Sequence, residues 1–201
     1  MAICVLSEWR KKMKIELKIE LNKISKSFDD KEVLCDVSAV FEPGITCVMG
    51  QSGIGKTTLA KIIAGLVTPD SGEIIGSEGL RFSAVFQEDR LLDWETALGN
   101  VLFVKNDREK AVALLTEADL GESLQKKSAD LSGGMKRRVC ICRALTADYD
   151  VLILDEPFKG LDAELKQSIM QMVKTHATGI VICITHDESE AKFLDGKVIR
   201  L

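Results

Sequence analysis

Eight consecutive residues, Gly50, Gln51, Ser52, Gly53, Ile54, Gly55, Lys56 and Thr57, have the types and spacing to bind phosphate. The glycines let the backbone curl so that its N–H groups point inward at anion oxygens. A helix beginning near Lys56 adds unpaired N–H groups and the positive end of its dipole. Lys56 brings a point charge to the β- and γ-phosphates of a nucleoside triphosphate, and the Thr57 hydroxyl is a hard oxygen ligand suited to Mg²⁺. A plain glycine turn has a similar composition. Here, however, the loop stands between an apolar run at 45–49 and a helical pattern over 57–66, which is the setting that phosphate binding requires.

A second group is Val151, Leu152, Ile153, Leu154, Asp155 and Glu156. Four apolar residues bury a strand and deliver two carboxylates at its C-terminal end, where open α/β sheets bind ligands. Asp155 is suited to holding Mg²⁺ through water, and Glu156 to taking a proton from an attacking water. By itself such a pair is commonly a solvated strand end. Downstream of a phosphate loop it becomes the other half of a hydrolytic site.

Strands alternating with helices must position these groups. Alternating apolar and charged residues over 15–24 predict a half-buried strand, and 33–34 and 37–41 predict further short strands, together an N-terminal antiparallel β subdomain. Pro43-Gly44 marks a turn. Strands are also predicted at 45–49, 80–86, 151–154, 180–184 and 197–201, and helices at 57–66, 96–104, 108–120, 134–146, 161–175 and 188–194. A helical stretch from about Glu88 to Asp130 interrupts the alternation and, with the helix after it, forms an inserted helical subdomain over about 88–147. The fold class is α/β: a P-loop NTPase core with a mostly parallel sheet, the antiparallel subdomain and the helical insert.

Bulk properties narrow the function. The 201 residues are 46% apolar and 29% charged, with a formal net charge of −4. That composition fits a globular domain and lacks the basic field of a nucleic-acid binder, so no nucleic-acid partner is expected. No apolar run is long enough to span a bilayer, and the apolar start is followed at once by Glu8, Arg10, Lys11 and Lys12, unlike a secretory signal. Met13 is a second plausible start. Residues 1–14 are therefore expected to be an extension, and 15–201 the functional domain. The six cysteines include no zinc-type pair and are expected to be reduced, buried thiols; Cys35, Cys47 and Cys183 lie in strand-like apolar runs. His176 belongs to no motif and is expected at the surface.

Leu131, Ser132, Gly133, Gly134 and Met135 stand between the phosphate loop and the Asp155-Glu156 strand. This segment resembles the Leu-Ser-Gly-Gly-Gln signature of the ATP-binding cassette (ABC) ATPases, with Met135 in place of the usual glutamine. Physically it is a second anion site, a serine and two glycines at a helix start. Other residues are similar to further family elements. Gln87 resembles the Q-loop glutamine, which touches Mg²⁺ and the attacking water, and Asp162 in Gly160-Leu161-Asp162 resembles the D-loop. His186 resembles the switch histidine at the γ-phosphate, and Phe28 the aromatic that stacks on adenine. The resemblance spans about residues 15–201. It implies that ATP is bound by Phe28, by the loop from Gly50 to Thr57 and by Thr58. It further implies catalytic roles for Glu156, His186 and Gln87, and a metal set of Thr57, Gln87 and Asp155.

The resemblance also implies partners. Two cassettes, two copies of this chain or this chain with a homologue, pack head to tail, and ATP lies between the loop of one and the signature segment of the other. Integral membrane permease subunits dock near Gln87, any solute-binding protein lies beyond them, and the cassette is peripheral on the cytoplasmic face of the cell membrane. The run Gln87, Glu88, Asp89, Arg90, Leu91, Leu92, Asp93, Trp94 is similar to that of nitrate, sulfonate and taurine importer cassettes, with Asp93 where proline is usual. Leu91, Leu92 and Trp94 suit either docking to a membrane subunit or packing within the helical insert. With fifteen residues after His186, no C-terminal regulatory domain is expected. Alternatives are an exporter subunit, or a non-transport cassette ATPase, which typically needs two cassettes or a coiled-coil insertion.

Overall fold

The structure is a computed structural model that describes residues 17–29 and 31–201. The expectations for the extension at 1–14, for Met13, for Cys4 and for the first residues of the 15–24 strand lie outside the described residues. Among the described residues eight strands and six α-helices follow in the order β1 (Ile19–Phe28), β2 (Lys31–Phe41), β3 (Gly44–Met49), α1 (Lys56–Ile63), β4 (Ser71–Ile75), β5 (Phe82–Val85), α2 (Ala97–Leu102), α3 (Arg108–Glu117), α4 (Gly133–Thr146), β6 (Val151–Asp155), α5 (Ala163–His176), β7 (Ile180–Ile184), α6 (Glu188–Leu194) and β8 (Lys197–Arg200). No described helix is long and apolar enough to cross a membrane.

Two sheets form. One is parallel, with strand order β5-β6-β7-β3-β8; the other is antiparallel, in the order β2-β1-β4. The central parallel strands are continuous apolar runs because both their faces are covered. Their period of two splits the side chains between two cores. Leu152, Leu154, Val181, Cys183 and Cys47 face a core built with α2, α3, α4 and α5. Val151, Ile153, Ile180, Ile182 and Val48 face a second core, closed by Leu59, Ile62 and Ile63 of α1 and by Ile19, Leu21, Ile24, Leu34 and Phe41 of the antiparallel sheet. The parallel sheet is thus clamped from both sides, and the ends of β3, β6 and β7 emerge at one rim.

The antiparallel sheet departs from the predicted pattern in three ways. The two short strands expected at 33–34 and 37–41 are one strand, β2, bent at Asp36, whose φ is 47°. The bulge is stabilised because the Asp36 N–H donates to Ser25 Oγ at 2.9 Å, while Lys23, with φ 49°, donates from its N–H to Ser38 Oγ at 3.0 Å. The alternation of apolar residues breaks at each bulge, which is why the strand looked interrupted. Second, β4 was not predicted. Its Gly72 resembles a turn residue, but it has φ +86° and an added Cβ would lie 2.3 Å from Lys23 O, so glycine is what lets β4 close onto the bulged part of β1. Third, Cys35 is exposed, against the expectation of a buried thiol. It lies on an edge strand next to inward-facing Leu34, and alternation turns its side chain outward. Cys47, Cys140, Cys142 and Cys183 are buried free thiols.

Candidate active site

The loop 50–57 leaves β3 and enters α1. Gly55 is the N-cap of α1 with φ 105°, and no side chain caps this helix. The other five α-helices among the described residues each have a capping side chain: Thr96, Asp107, Ser132, Asp162 and Asp187. The first-turn N–H groups of α1 therefore lack the side-chain acceptor that the other helices supply, as an anion site requires. A Cβ at Gly55 would fall 2.7 Å from both Val33 O and Leu34 Cδ2, so β2 packs directly on the loop. Gly55→Ala is expected to destabilise the fold by about 2 kcal/mol or more, from positive φ and overpacking together. Urea denaturation checks this, and an unchanged midpoint would contradict the packing described.

Lys56 is 6% exposed, and its ammonium folds back across the loop to donate to Gly50 O at 2.8 Å and Gln51 O at 2.9 Å. Thr57 Oγ1 donates to Asp155 Oδ2 at 2.6 Å, joining the start of α1 to the end of β6. Asp155 is fully buried, and its Oδ1 has no hydrogen-bond partner. Burial pushes its carboxyl above the ordinary range, against the opposing pull of the Thr57 bond. A buried, unpartnered carboxylate oxygen beside a threonine hydroxyl is a donor set suited to Mg²⁺ and its water shell.

Glu156 follows with φ 47°, an uncommon conformation for a non-glycine residue, and its N–H donates to Ile184 O at 3.0 Å. Its side chain, 12% exposed, is held at Oε1 by His186 Nδ1 at 3.1 Å and faces Lys159 Nζ from Oε2 at 3.3 Å. Burial pushes this carboxyl up, but Lys159 and His186 outweigh it and hold it below the ordinary range. Gln87 is exposed and lines the same cleft of about 160 Å³ as Ser52, Lys56, Thr57, Asp155 and Glu156. Thr58 also borders that cleft. Gly50, Gln51, Ser52 and Ile54 face a wider cavity of about 900 Å³ shared with Glu156 and His186.

Other predicted residues lie apart. Phe28 is 46% exposed at the end of β1, with Lys26 Nζ 5.4 Å from its ring centroid; Val33, not Phe28, is the residue of the antiparallel sheet that borders the cleft. Ser132 caps α4 by accepting from the Met135 N–H at 3.3 Å, Gly134 sits beside Leu161, and neither lines the cavities at the loop 50–57. Asp162 caps α5 by accepting from the Leu165 N–H at 3.0 Å. Leu91 and Leu92 are half-buried and Trp94 is 72% exposed. His176 pairs with Glu117 at 2.8 Å.

Besides Val33 and Lys159, two framework residues were not anticipated from the sequence. Arg137, 7% exposed on α4, donates to Phe86 O at 2.6 Å and Gln87 O at 2.8 Å and pairs with Asp89 at 3.2 Å, so the signature helix grips the backbone that carries Gln87. Asn100, fully buried on α2, accepts from the Leu92 N–H at 2.8 Å and donates to Leu92 O, Thr96 O and Ser128 Oγ. Its place within the otherwise apolar stretch Ala97, Leu98, Gly99, Val101 and Leu102 was the available signal, since an amide buried there needs hydrogen-bond partners.

Comparison with known proteins agrees with this geometry. The family model described as ABC transporter matches residues 34–159. The aliphatic sulfonates import ATP-binding protein SsuB 1 of Rhodococcus jostii is 38% identical over 192 residues, covering 91% of this chain and 78% of that protein. The taurine import ATP-binding protein TauB of Pseudomonas putida is 38% identical over 203 residues, with the same shares of 91% and 78%. Among solved structures, the dimeric bacterial ABC transporter cassette MJ0796 superposes with a TM-score of 0.80 at 27% identity, covering 91% of this chain and 94% of that one. On sequence and on fold alike, this chain belongs to the ABC transporter family and is an ATP-binding, ATP-hydrolysing subunit.

Proposed function

We propose that this chain powers an importer of small sulfonated anions of the alkanesulfonate or taurine kind, from the cytoplasmic face of the membrane and as one half of a head-to-tail cassette dimer. The observation that carries the cargo class is the 38% identity, over 91% of the chain, to ATP-binding proteins named for sulfonate and for taurine import. The dimer is supported by the superposition on a dimeric ABC transporter cassette, and by Leu131, Ser132, Gly133, Gly134 and Met135 lining neither cavity at the uncapped start of α1, so that in this reading a second copy supplies the second anion site.

In this reading the α1 N-terminus and the backbone of Gly50, Gln51, Ser52, Gly53, Ile54 and Gly55 take the phosphates of ATP, and Thr58 extends that contact. Lys56 exchanges the Gly50 and Gln51 carbonyls for phosphate oxygens. Phe28 offers its exposed ring to adenine. Thr57, Asp155 and Gln87 would hold Mg²⁺, which supplies charge neutralisation at the β- and γ-phosphates. Glu156 accepts the proton of the attacking water, oriented through its bond to His186. His186, still bonded at Nδ1 to Glu156, donates from its other ring nitrogen to the γ-phosphate. Asp162 reaches toward the other subunit. Exposed Trp94, with Leu91 and Leu92, gives the membrane subunits an apolar contact.

Reconstitution tests the cargo. The chain, assembled with the membrane subunit that copurifies with it and its solute-binding protein in liposomes, is expected to hydrolyse ATP several-fold faster with taurine or an alkanesulfonate than without. Stimulation by an unrelated solute, with none by sulfonates, would overturn the cargo assignment while leaving the ATPase intact. Recovery of only ribosomes or DNA in place of a membrane protein would overturn transport itself.

A further inference from the structure

A partly buried charge network behind the cleft, with Glu190 at its buried centre, ties together elements that the chemistry needs in register. Lys166, one turn into α5, places its ammonium 2.8 Å from Glu190 Oε1 and 3.2 Å from Asp187 Oδ2. Glu190, on α6, is 5% exposed, and its other oxygen accepts from Thr185 Oγ1 at 2.5 Å. That Thr185 hydroxyl also accepts from the Asp187 N–H at 3.0 Å. Asp187 in turn caps α6, accepting from the Ser189 N–H at 2.8 Å.

His186 lies between two residues that this network holds, Thr185 and Asp187. Its own ring is 63% exposed and is steadied at Nδ1 by Glu156. A ring so exposed takes its position from its backbone. At the other end, the Lys166 N–H donates to Asp162 O at 2.8 Å within the first turn of α5. Lys166 and Glu190 also line a cavity of about 180 Å³ whose other walls include Glu156, His186 and Leu161. The network thus spans from the helix that starts at Asp162 to the loop that carries His186.

A partly exposed ion pair is a weak source of stability, because solvent screens its attraction and the buried Glu190 carboxylate costs desolvation. What it supplies is directional constraint, provided that every lone pair is satisfied. Both Glu190 oxygens are satisfied here, one by an ammonium and one by a hydroxyl. Glu190 and Asp187 hold the Lys166 ammonium firmly charged, its pKa raised above the ordinary value by Glu190 first.

We propose that Lys166 and Glu190 are positioning residues that keep the His186 backbone in register with the helix beginning at Asp162. The proposal rests on the reading of His186 as a γ-phosphate contact. ATP turnover by the full chain tests it, with K166M, K166R, H186A and the double variant K166M/H186A compared. K166M is expected to lower kcat about tenfold or more while KM for ATP moves less than about threefold, because misplacement of a catalytic group costs rate before binding. K166R is expected to recover most of the loss. Added to H186A, K166M is expected to have no further effect, since both act through one ring. Near-native kcat in K166M, a K166R as impaired as K166M, or losses that multiply in the double variant would each overturn the clamp. Native turnover in H186A would instead sink the reading of His186, and the clamp with it. Should K166M not fold, E190Q carries the same test, because the amide keeps the shape and the Thr185 bond but discards the charge.

Discussion

Replacing Glu156 by glutamine is expected to lower ATP turnover by about 10²–10⁴-fold, the range typical of a lost general base. The amide has nearly the volume of the carboxylate, so the 12% exposed side chain stays in its pocket and the His186 contact keeps an oxygen acceptor. What disappears is the ability to take a proton and the charge facing Lys159 at 3.3 Å. ATP binding, which the proposed site assigns to the loop 50–57, is expected to stay in place. The nucleotide then remains uncleaved and the dimer it joins accumulates, so size exclusion with ATP and Mg²⁺ is expected to show a dimer peak that the unmodified chain forms only transiently. Turnover unchanged in E156Q would remove Glu156 as the base.

Ser132→Arg is expected to abolish turnover while leaving ATP affinity of the dilute monomer within about twofold, which is less than about 0.5 kcal/mol. Ser132 caps α4, and its loss there costs about 1 kcal/mol of local stability, too little to unfold the domain. The loop 50–57 lies between β3 and α1, and Ser132 lines neither of the cavities beside it. In the proposed dimer the damage falls on the face that meets the second subunit's nucleotide, where an arginine replaces a small hydroxyl and fills the approach. Fluorescent-nucleotide titration at low protein concentration, set against steady-state ATPase rates, separates the two effects. A monomer that no longer binds ATP would contradict a site shared between subunits.

Much of this protein was legible before the structure. The phosphate loop, the carboxylate-ended strand and the signature segment are each local: their chemistry is written in adjacent residues, because backbone N–H groups and strand ends are placed by nearest neighbours. The parallel strands at 44–49, 151–155 and 180–184 were equally clear, since a strand covered on both faces must be apolar throughout. The antiparallel sheet was less legible. Its bulges at Lys23 and Asp36 shift the alternation by which strands are recognised, and β4 carries a glycine whose purpose is visible only against the carbonyls of β1. Cys35 was placed on the wrong side because an edge strand exposes one face and apolar neighbours do not say which.

What the sequence determined by itself is the inventory of chemistry: phosphate-binding backbone, a lysine, a threonine and two carboxylates, in an order that belongs to the ABC transporter family. What only the tertiary structure decided is how those groups are held. Thr57 meets Asp155 across 98 positions of chain, Arg137 grips Gln87 across 50, and Lys166 reaches Asp187 across 21. Such contacts leave no periodic or compositional trace, because a hydrogen bond between distant residues depends on where two elements cross, and that crossing is set by the packing of both cores together.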